Sequence, residues 1–568
     1  MKQAAEQQHE CAELRSPDEV MRLARMGSAF PTRLSFMRSL LRFVSREGAS
    51  VSRPLWQIND EGYGRAVYQV QLGTHIYSLV AFATELEPDK RTDRVIAEAW
   101  DTSYVLFDGI PNAQDIDRLA ANAPLQEAGR FDECDLILSR ANKSVRLFSH
   151  VVESLANGRQ PDIDLIRATG YLMRTTAVYG NGKFGIADRE VIAARPGLDG
   201  PFRAEMLLVW LIRGFTHDLV EHVAQRRNSE TFVPLDRRLK RYLGIGNSTG
   251  LGMAPFLVSH PILLNNWIMA RETALARVRA LPVAGPGSVE KIGQLLARVV
   301  LHLDQWSVDD EQQMQRIEVL RREVRELVQR LKELDWSQQA QPWDVVIAAS
   351  KPYSLECQEL VVALVLEPHG ELIDDLEREM ASRIEPALNS KMRAAELTKC
   401  LNEAFGFANN IDFGARDQTA QFWYVSEEKL EPRLGARYEE DGAELEMPLD
   451  IARQVQALAR DLAQTDGNET VAEFLLRHPG HRYAIARVQT AAKYSYSEIR
   501  DNLISDQCLP IDMLRLKLSF FGASKFDPRS DRWTRITLYQ GAPLFDELSP
   551  EEADDWWLPV LPNLDVSG

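Results

Sequence analysis

Ala66-Val67-Tyr68-Gln69-Val70-Gln71-Leu72, then Gly73-Thr74, then His75-Ile76-Tyr77-Ser78-Leu79-Val80-Ala81-Phe82: two runs of strand-forming residues meet across a two-residue turn. β-branched and aromatic side chains fit a pleated surface, and a glycine supplies the backbone freedom a tight hairpin turn needs. This hairpin sets the fold class. Working outward from it, 52–109 reads as a small antiparallel meander with Trp56 on its leading strand. Residues 95–107 supply one or two further strands.

Upstream, Ser16 followed by Asp18 and Glu19 marks a helix start. Leu34, Met37, Leu40, Leu41 and Val44 recur at helical spacing and predict a helix over 31–46. Downstream, helices are expected at 115–121, 132–157, 163–178, 203–227, 235–243, 254–280, 288–304 and 309–335. The 203–227 stretch is apolar around most of its circumference, as a central buried helix would be. Ile317, Leu320, Val324, Leu327, Leu331 and Leu334 alternate spacings of three and four. That stripe suits a hairpin packed on 288–304, or a short coiled coil in a homodimer. Beyond a linker at 338–343, runs 345–349, 360–366 and 421–425 read as strands, the second also as a buried helical turn. Helices are expected at 449–462 and 497–503, and 514–521 with 533–539 as an antiparallel pair.

The expected class is therefore α+β, helix-dominated, with a small antiparallel sheet near the N-terminus, a helical body and a mixed α/β C-terminal part. Four segments follow: 1–50 helical, 51–112 the meander, 113–337 the helical body with glycine-rich loops, and 343–568 mixed.

With 568 residues, 45% of them hydrophobic and 26% charged, the chain is long enough for several cores and too apolar for disorder. A formal net charge of −17 disfavours nucleic acid and anionic lipid as partners, but leaves room for a local basic cleft. Cys11, Cys134, Cys357, Cys400 and Cys508 are scattered without a CxxC pair, which fits a reducing compartment and argues against a zinc cluster. The polar residues 1–15 do not resemble a signal peptide, and the apolar run 206–212 is far too short for about 30 Å of hydrocarbon. A soluble, cytoplasmic protein is the expectation.

Two glycine-rich segments draw attention. Gly244-Ile245-Gly246-Asn247-Ser248-Thr249-Gly250-Leu251-Gly252 precedes Ala254-Pro255. Close backbone approach followed by a helix N-terminus makes an anion or cofactor site, and Asn247, Ser248 and Thr249 add donors. Neither the dinucleotide fingerprint nor the P-loop fits: Thr249 stands where the sixth-position glycine belongs, and no lysine follows. A helix cap before a tight helix crossing is the plainer reading. Thr175-Thr176-Ala177-Val178-Tyr179-Gly180-Asn181-Gly182-Lys183-Phe184-Gly185 ends a helix carrying Arg174. Here Lys183 is a candidate charge clamp, Tyr179 a candidate acid or base, and Asn181 and Arg174 candidate substrate contacts. An ordinary Gly/Asn turn explains the same residues.

Arg140, Lys143 and Ser144, read as helical, share one face and offer a basic stripe for a substrate anion, though a solvated helix face does so equally. His217, Asp218, Glu221 and His222 imitate a metal motif, but the two histidines are five apart on a helix, which favours a polar network. The polar loop 409–417 and the groups around Lys493 and Lys525 are compatible with pocket walls or plain turns. No nucleophile elbow, zincin motif or kinase set is present. The sequence names neither a cofactor nor a metal. The leading expectation is an enzyme acting on a small anionic metabolite, carboxylate or phosphate, with a non-catalytic helical scaffold or assembly protein as the contrasting one.

Overall fold

The computed structural model describes residues 13–27, 29, 32–87, 99–124, 132–175, 189–250, 260–304, 311–378, 380, 388–412, 423–425, 432–434, 445–447, 451–500, 510–522, 525–528 and 533–538. The chain forms two compact units. A sheet unit holds Ser35–Thr249, Phe521–Asp527 and Thr534–Gly568; a helical unit holds Met1–Leu34, Gly250–Phe520 and Pro528–Trp533.

In the sheet unit, β1 (Ser50–Ile58), β2 (Gly64–Leu72), β3 (His75–Ala83), β4 (Thr102–Asp108), β5 (Asp135–Lys143) and β6 (Tyr171–Thr175) pair antiparallel in sequence order. The quoted hairpin closes as expected: Leu72 pairs with His75, and Gly73 adopts φ +59°. β7 (Gly244–Gly250) then joins β6 in parallel, and Lys525–Pro528 with Trp533–Leu538 extend the order to nine strands. The helix-rich α+β class stands, but the sheet is not small.

Strand alternation gives the sheet two apolar faces. Val67, Val80, Phe82, Val105, Phe107 and Leu138 pack on Ile116, Leu119 and Ala123, contributed by the helix Ala113–Asn122 and its C-cap. The opposite face receives the helix Arg203–Arg227, which spans the expected residues. Its Phe215 ring lies 5.7 Å from Tyr104, 6.4 Å from Tyr68 and 6.0 Å from Trp56. That helix starts from Phe202 at φ +53°, the one non-glycine in the left-handed region among the described residues. Such a conformation costs about 1–2 kcal/mol. Burial of its ring against Phe36 and Phe521, each 5.1 Å away, offsets the strain.

Several expected elements change type. Residues 132–157 form β5 and a separate helix, Phe148–Ala156, because Leu136, Ile137 and Leu138 lie in a strand beside β4. The expected helix 163–178 stops at Gly170, whose φ of +78° suits a left-handed cap, and β6 follows. Runs 345–349, 360–366 and 514–521 lie in the helices Pro342–Ser350, Leu355–Leu366 and Pro510–Phe521 instead of strands. A fully buried apolar run carries no periodicity to separate strand from helix, so the caps decide. Pro342 opens the first at its N-terminal turn, and the Ser354 hydroxyl accepts from the Cys357 amide at the second.

In the helical unit, Pro286–Asp304 and Glu311–Lys332 form the hairpin that the three-four spacing suggests. Ile317, Leu320, Val324, Leu327 and Leu331 are buried, and the Arg321 guanidinium donates to the Leu303 carbonyl at 2.7 Å. No helix among the described residues is long and apolar enough to cross a membrane.

The same unit contains a buried charge network. Arg15 forks onto both Glu272 and Glu359, at 2.7 Å to each. Arg25 donates to Glu359 at 2.9 Å, and Arg271 pairs with it as well. The network ties the N-terminal segment to the helices Pro261–Arg279 and Leu355–Leu366. Against the cost of burial, the three arginines hold the Glu359 carboxyl ionised down to about 2.

Replacing Glu359 with Gln strands buried guanidinium charge, which costs about 3–5 kcal/mol at neutral pH. An unfolded glutamate titrates near 4.3. The Glu359 contribution is therefore complete above about pH 4.3 and is lost as pH falls through about 2. Urea unfolding of parent and variant between about pH 7 and pH 3 should give a gap that narrows only in acid. A gap of constant size would mean the carboxylate is not held ionised.

Candidate functional site

Those sequence-selected residues that the structure describes lie on the strands β5, β6 and β7. Asn142 pairs with Arg174, Ala141 with Thr175, Ser103 with Arg140, and Arg174 with Gly246. Cross-strand partners project from the same face, so Arg140, Asn142 and Arg174 share one. Lys143 is an odd number of positions from Arg140 and projects from the other face. The helical expectation had put them together; the strand's period of two separates them. The Lys143 ammonium instead lies 5.2 Å from the Tyr63 ring and 5.1 Å from Phe148. The Arg140 guanidinium lies 4.6 Å over Trp100. Buried Asp101 bridges this region: its Oδ2 accepts from the Lys143 amide at 3.0 Å, and its own amide donates to Asn142 Oδ1 at 2.9 Å.

The stretch expected to be a glycine-rich loop opening a helix is β7. Gly244, Gly246 and Asn247 lie within it, as do Ser248, Thr249 and Gly250, whose side chains fall outside the described residues. Its place between β6 and the strand Trp533–Leu538 makes its backbone part of the sheet. Gly246 has a packing reason: a Cβ there would lie 2.5 Å from the Tyr171 ring. The glycine admits an aromatic ring. Asn247 is buried, and its Nδ2 donates to the Thr175 carbonyl at 2.7 Å, joining β7 to the end of β6. That bond fixes the amide orientation and leaves Asn247 Oδ1 buried without a hydrogen-bond partner among the described residues. The Ser139 and Thr175 hydroxyls, 2.6 Å apart, join β5 to β6. Upstream, Arg213 on the central helix donates to the carbonyls of Lys240, Arg241 and Leu243, capping the helix Arg237–Tyr242 that leads into β7. Tyr179, Asn181 and Lys183 lie outside the described residues.

The His217–His222 group is committed elsewhere. Asp218 accepts from Arg53 at 2.7 Å and from the Tyr68 hydroxyl at 2.5 Å; burial and this carboxylate push the phenol well above its ordinary range. Glu221 pairs with Lys240 at 2.7 Å, and His222 accepts from Trp56 Nε1 at 3.3 Å. Burial, with Arg213 and Lys240 adding repulsion, holds the His217 imidazole well below its usual pKa and therefore neutral.

In the helical unit, the cavity beside Glu359 and Arg271 measures about 20 Å³, room for one water and not for a metabolite. The Glu359 network is thus structural. A second cluster there was missed in the sequence: Asp461, His478 and His481, whose ligand atoms all lie within 4.8 Å of one another. The legible signal was His478-Pro479-Gly480-His481, two imidazoles across a constrained turn; Asp461 is too distant in sequence to be linked to it. A hydrogen bond from His481 is the main reason the Asp461 carboxyl sits below its ordinary range.

Compared with models of known protein families, with curated proteins and with solved structures, the chain matches none.

Gly246→Ala should destabilise the sheet unit by about 1–3 kcal/mol, because the new methyl overlaps the Tyr171 ring. Urea midpoints of parent and variant measure this, and Tyr171→Ala in the same chain should recover part of the loss. A neutral Gly246→Ala would show that the ring has room to move.

Proposed function

We propose that this protein is an enzyme acting on a small anionic metabolite, bound where β6 and β7 run out of the sheet. The observation that carries the reading is the parallel pairing of these two strands beside the antiparallel pairings from β1 to β6. Parallel neighbours end side by side, and open sheets bind ligands beyond the carboxyl ends of such strands. Tyr179, Asn181 and Lys183 follow β6 in the sequence, and Ser248 and Thr249 lie toward the carboxyl end of the parallel β7. Arg174 and Arg140 lie on the strands there and supply the positive charge a carboxylate or phosphate requires. In this reading Lys183 clamps the anion and Tyr179 moves the proton. The contrasting scaffold reading draws on the helical pair at 288–335, the acidic composition and the absence of a catalytic signature; of these, the apolar stripe of the helical pair is buried, with Ile317, Leu320, Val324, Leu327 and Leu331 covered.

Thermal melts of the full chain with carboxylates, sugar phosphates, nucleotides and CoA esters test the proposal. A ligand at about a hundredfold its dissociation constant adds about 2.7 kcal/mol. Arg140→Gln and Lys183→Ala should remove that shift while leaving the ligand-free melt close to the parent's. A shift that survives both substitutions places the ligand elsewhere. No shift with any anion, alongside a cooperative melt, turns the search toward protein partners.

A further inference from the structure

The helical unit carries a second constellation that the anion reading does not use. Asp461 stands one residue before the end of the helix Ile451–Leu462. His478 caps the C-terminus of Val471–Arg477, and His481 precedes the helix Arg482–Lys493. The Pro479–His481 turn joins the last two, and the His481 amide donates to the His478 carbonyl at 3.2 Å. These helices share one apolar core, with Leu458, Leu462, Phe474, Ala484 and Ile485 buried together, so the three side chains stand on a rigid base. Phe474 stacks on both imidazoles, at 4.7 Å from His478 and 5.9 Å from His481, and fixes their planes.

Both histidines address the same oxygen. Asp461 Oδ2 lies 2.6 Å from His481 Nε2 and 3.6 Å from His478 Nδ1. An ordinary helix-junction ion pair needs one imidazole. His478 Nδ1, at 3.6 Å, lies beyond hydrogen-bond reach of that oxygen, so such a pair does not account for its position. Two imidazoles and a carboxylate converging within 4.8 Å make a three-ligand set for a divalent ion. Tetrahedral zinc at about 2.0–2.2 Å from each ligand sets donor atoms about 3.4 Å apart. The cluster brackets that spacing: the Asp461–His481 contact must open by under about 1 Å, and the wider separations, all within 4.8 Å, must close to it.

We propose that Asp461, His478 and His481 form a binding site for a divalent transition ion of the zinc class. Imidazole donors select such ions over magnesium and calcium, which take oxygen cages. The ion takes the place of the proton between Asp461 Oδ2 and His481 Nε2, and the neutral His481 ring then carries its hydrogen on Nδ1. His478 and Asp461 are 35% and 36% exposed, so a coordination position remains for water or a ligand oxygen. Three protein ligands with an open position is the arrangement of reactive rather than closed structural zinc sites.

Calorimetric titration of the full chain with Zn²⁺, against Mg²⁺ as control, tests the site. The expected result is one Zn²⁺ bound at this site with no response to Mg²⁺. His478→Gln, which keeps the Asp461–His481 bond, and His481→Gln should each weaken binding at least tenfold. A direct reading on the unaltered protein uses diethylpyrocarbonate: Zn²⁺ should slow carbethoxylation of His478 and His481, located by peptide mass spectrometry, and leave other histidines unchanged. Absence of that protection, or equal Zn²⁺ affinity in parent and both folded variants, overturns the proposal.

Discussion

Glu359 carries a negative charge in the buried interior, and three guanidinium groups hold it there: Arg15 and Arg25 from the N-terminal segment, Arg271 from the neighbouring helix. Glu272 shares Arg15. None of the five groups is tolerable in that interior alone, because an unpaired buried ion loses several kcal/mol of hydration. The N-terminal segment, by docking Arg15 and Arg25, supplies two of the three guanidinium groups that keep Glu359 ionised. Stretches of chain more than 200 residues apart are committed to one register, and the apolar packing of the helical unit is arranged around that commitment.

The elements whose period survives in one dimension were legible. The hairpin at Gly73 shows alternating strand formers and a turn glycine; the helix Arg203–Arg227 is long and apolar; the stripe from Ile317 to Leu331 repeats at three and four. Residues 136–138 and 360–366 were not legible in the same way. They are apolar on every side, and only their neighbours in space determine whether they pair as strand or wind as helix. Gly170 was the overlooked signal, a left-handed stop that separates a short helix from β6. The segment 244–250 is a strand where a loop was expected: glycines that suggest a loop can equally make room for an aromatic ring, as Gly246 does for Tyr171.

The polar residues followed the same division. Arg174 and Asn247 were selected beside glycines and Arg140 for a basic stripe read as helical, and all three lie on adjoining strands. Lys143 was grouped with Arg140 by a helical period that does not apply in a strand. Asp461 and its two histidines come from three helix ends, and such convergence leaves almost no mark in the linear sequence beyond the paired imidazoles at 478 and 481. In a chain of net charge −17, these two polar centres differ in kind. One concentrates guanidinium groups on a sheet, and the other sets nitrogen donors against a single carboxylate.

The parallel step between β6 and β7 also bears on how the molecule comes to exist. From β1 to β4 each strand finds its partner within a few tens of residues. β7 reaches β6 only after a loop of about seventy residues has closed and the long helix Arg203–Arg227 has been laid across the sheet. Non-local pairings of this kind form late because their entropy cost precedes their reward. The meander can thus act as a template, and the end of the sheet that gathers the arginines is completed last in folding.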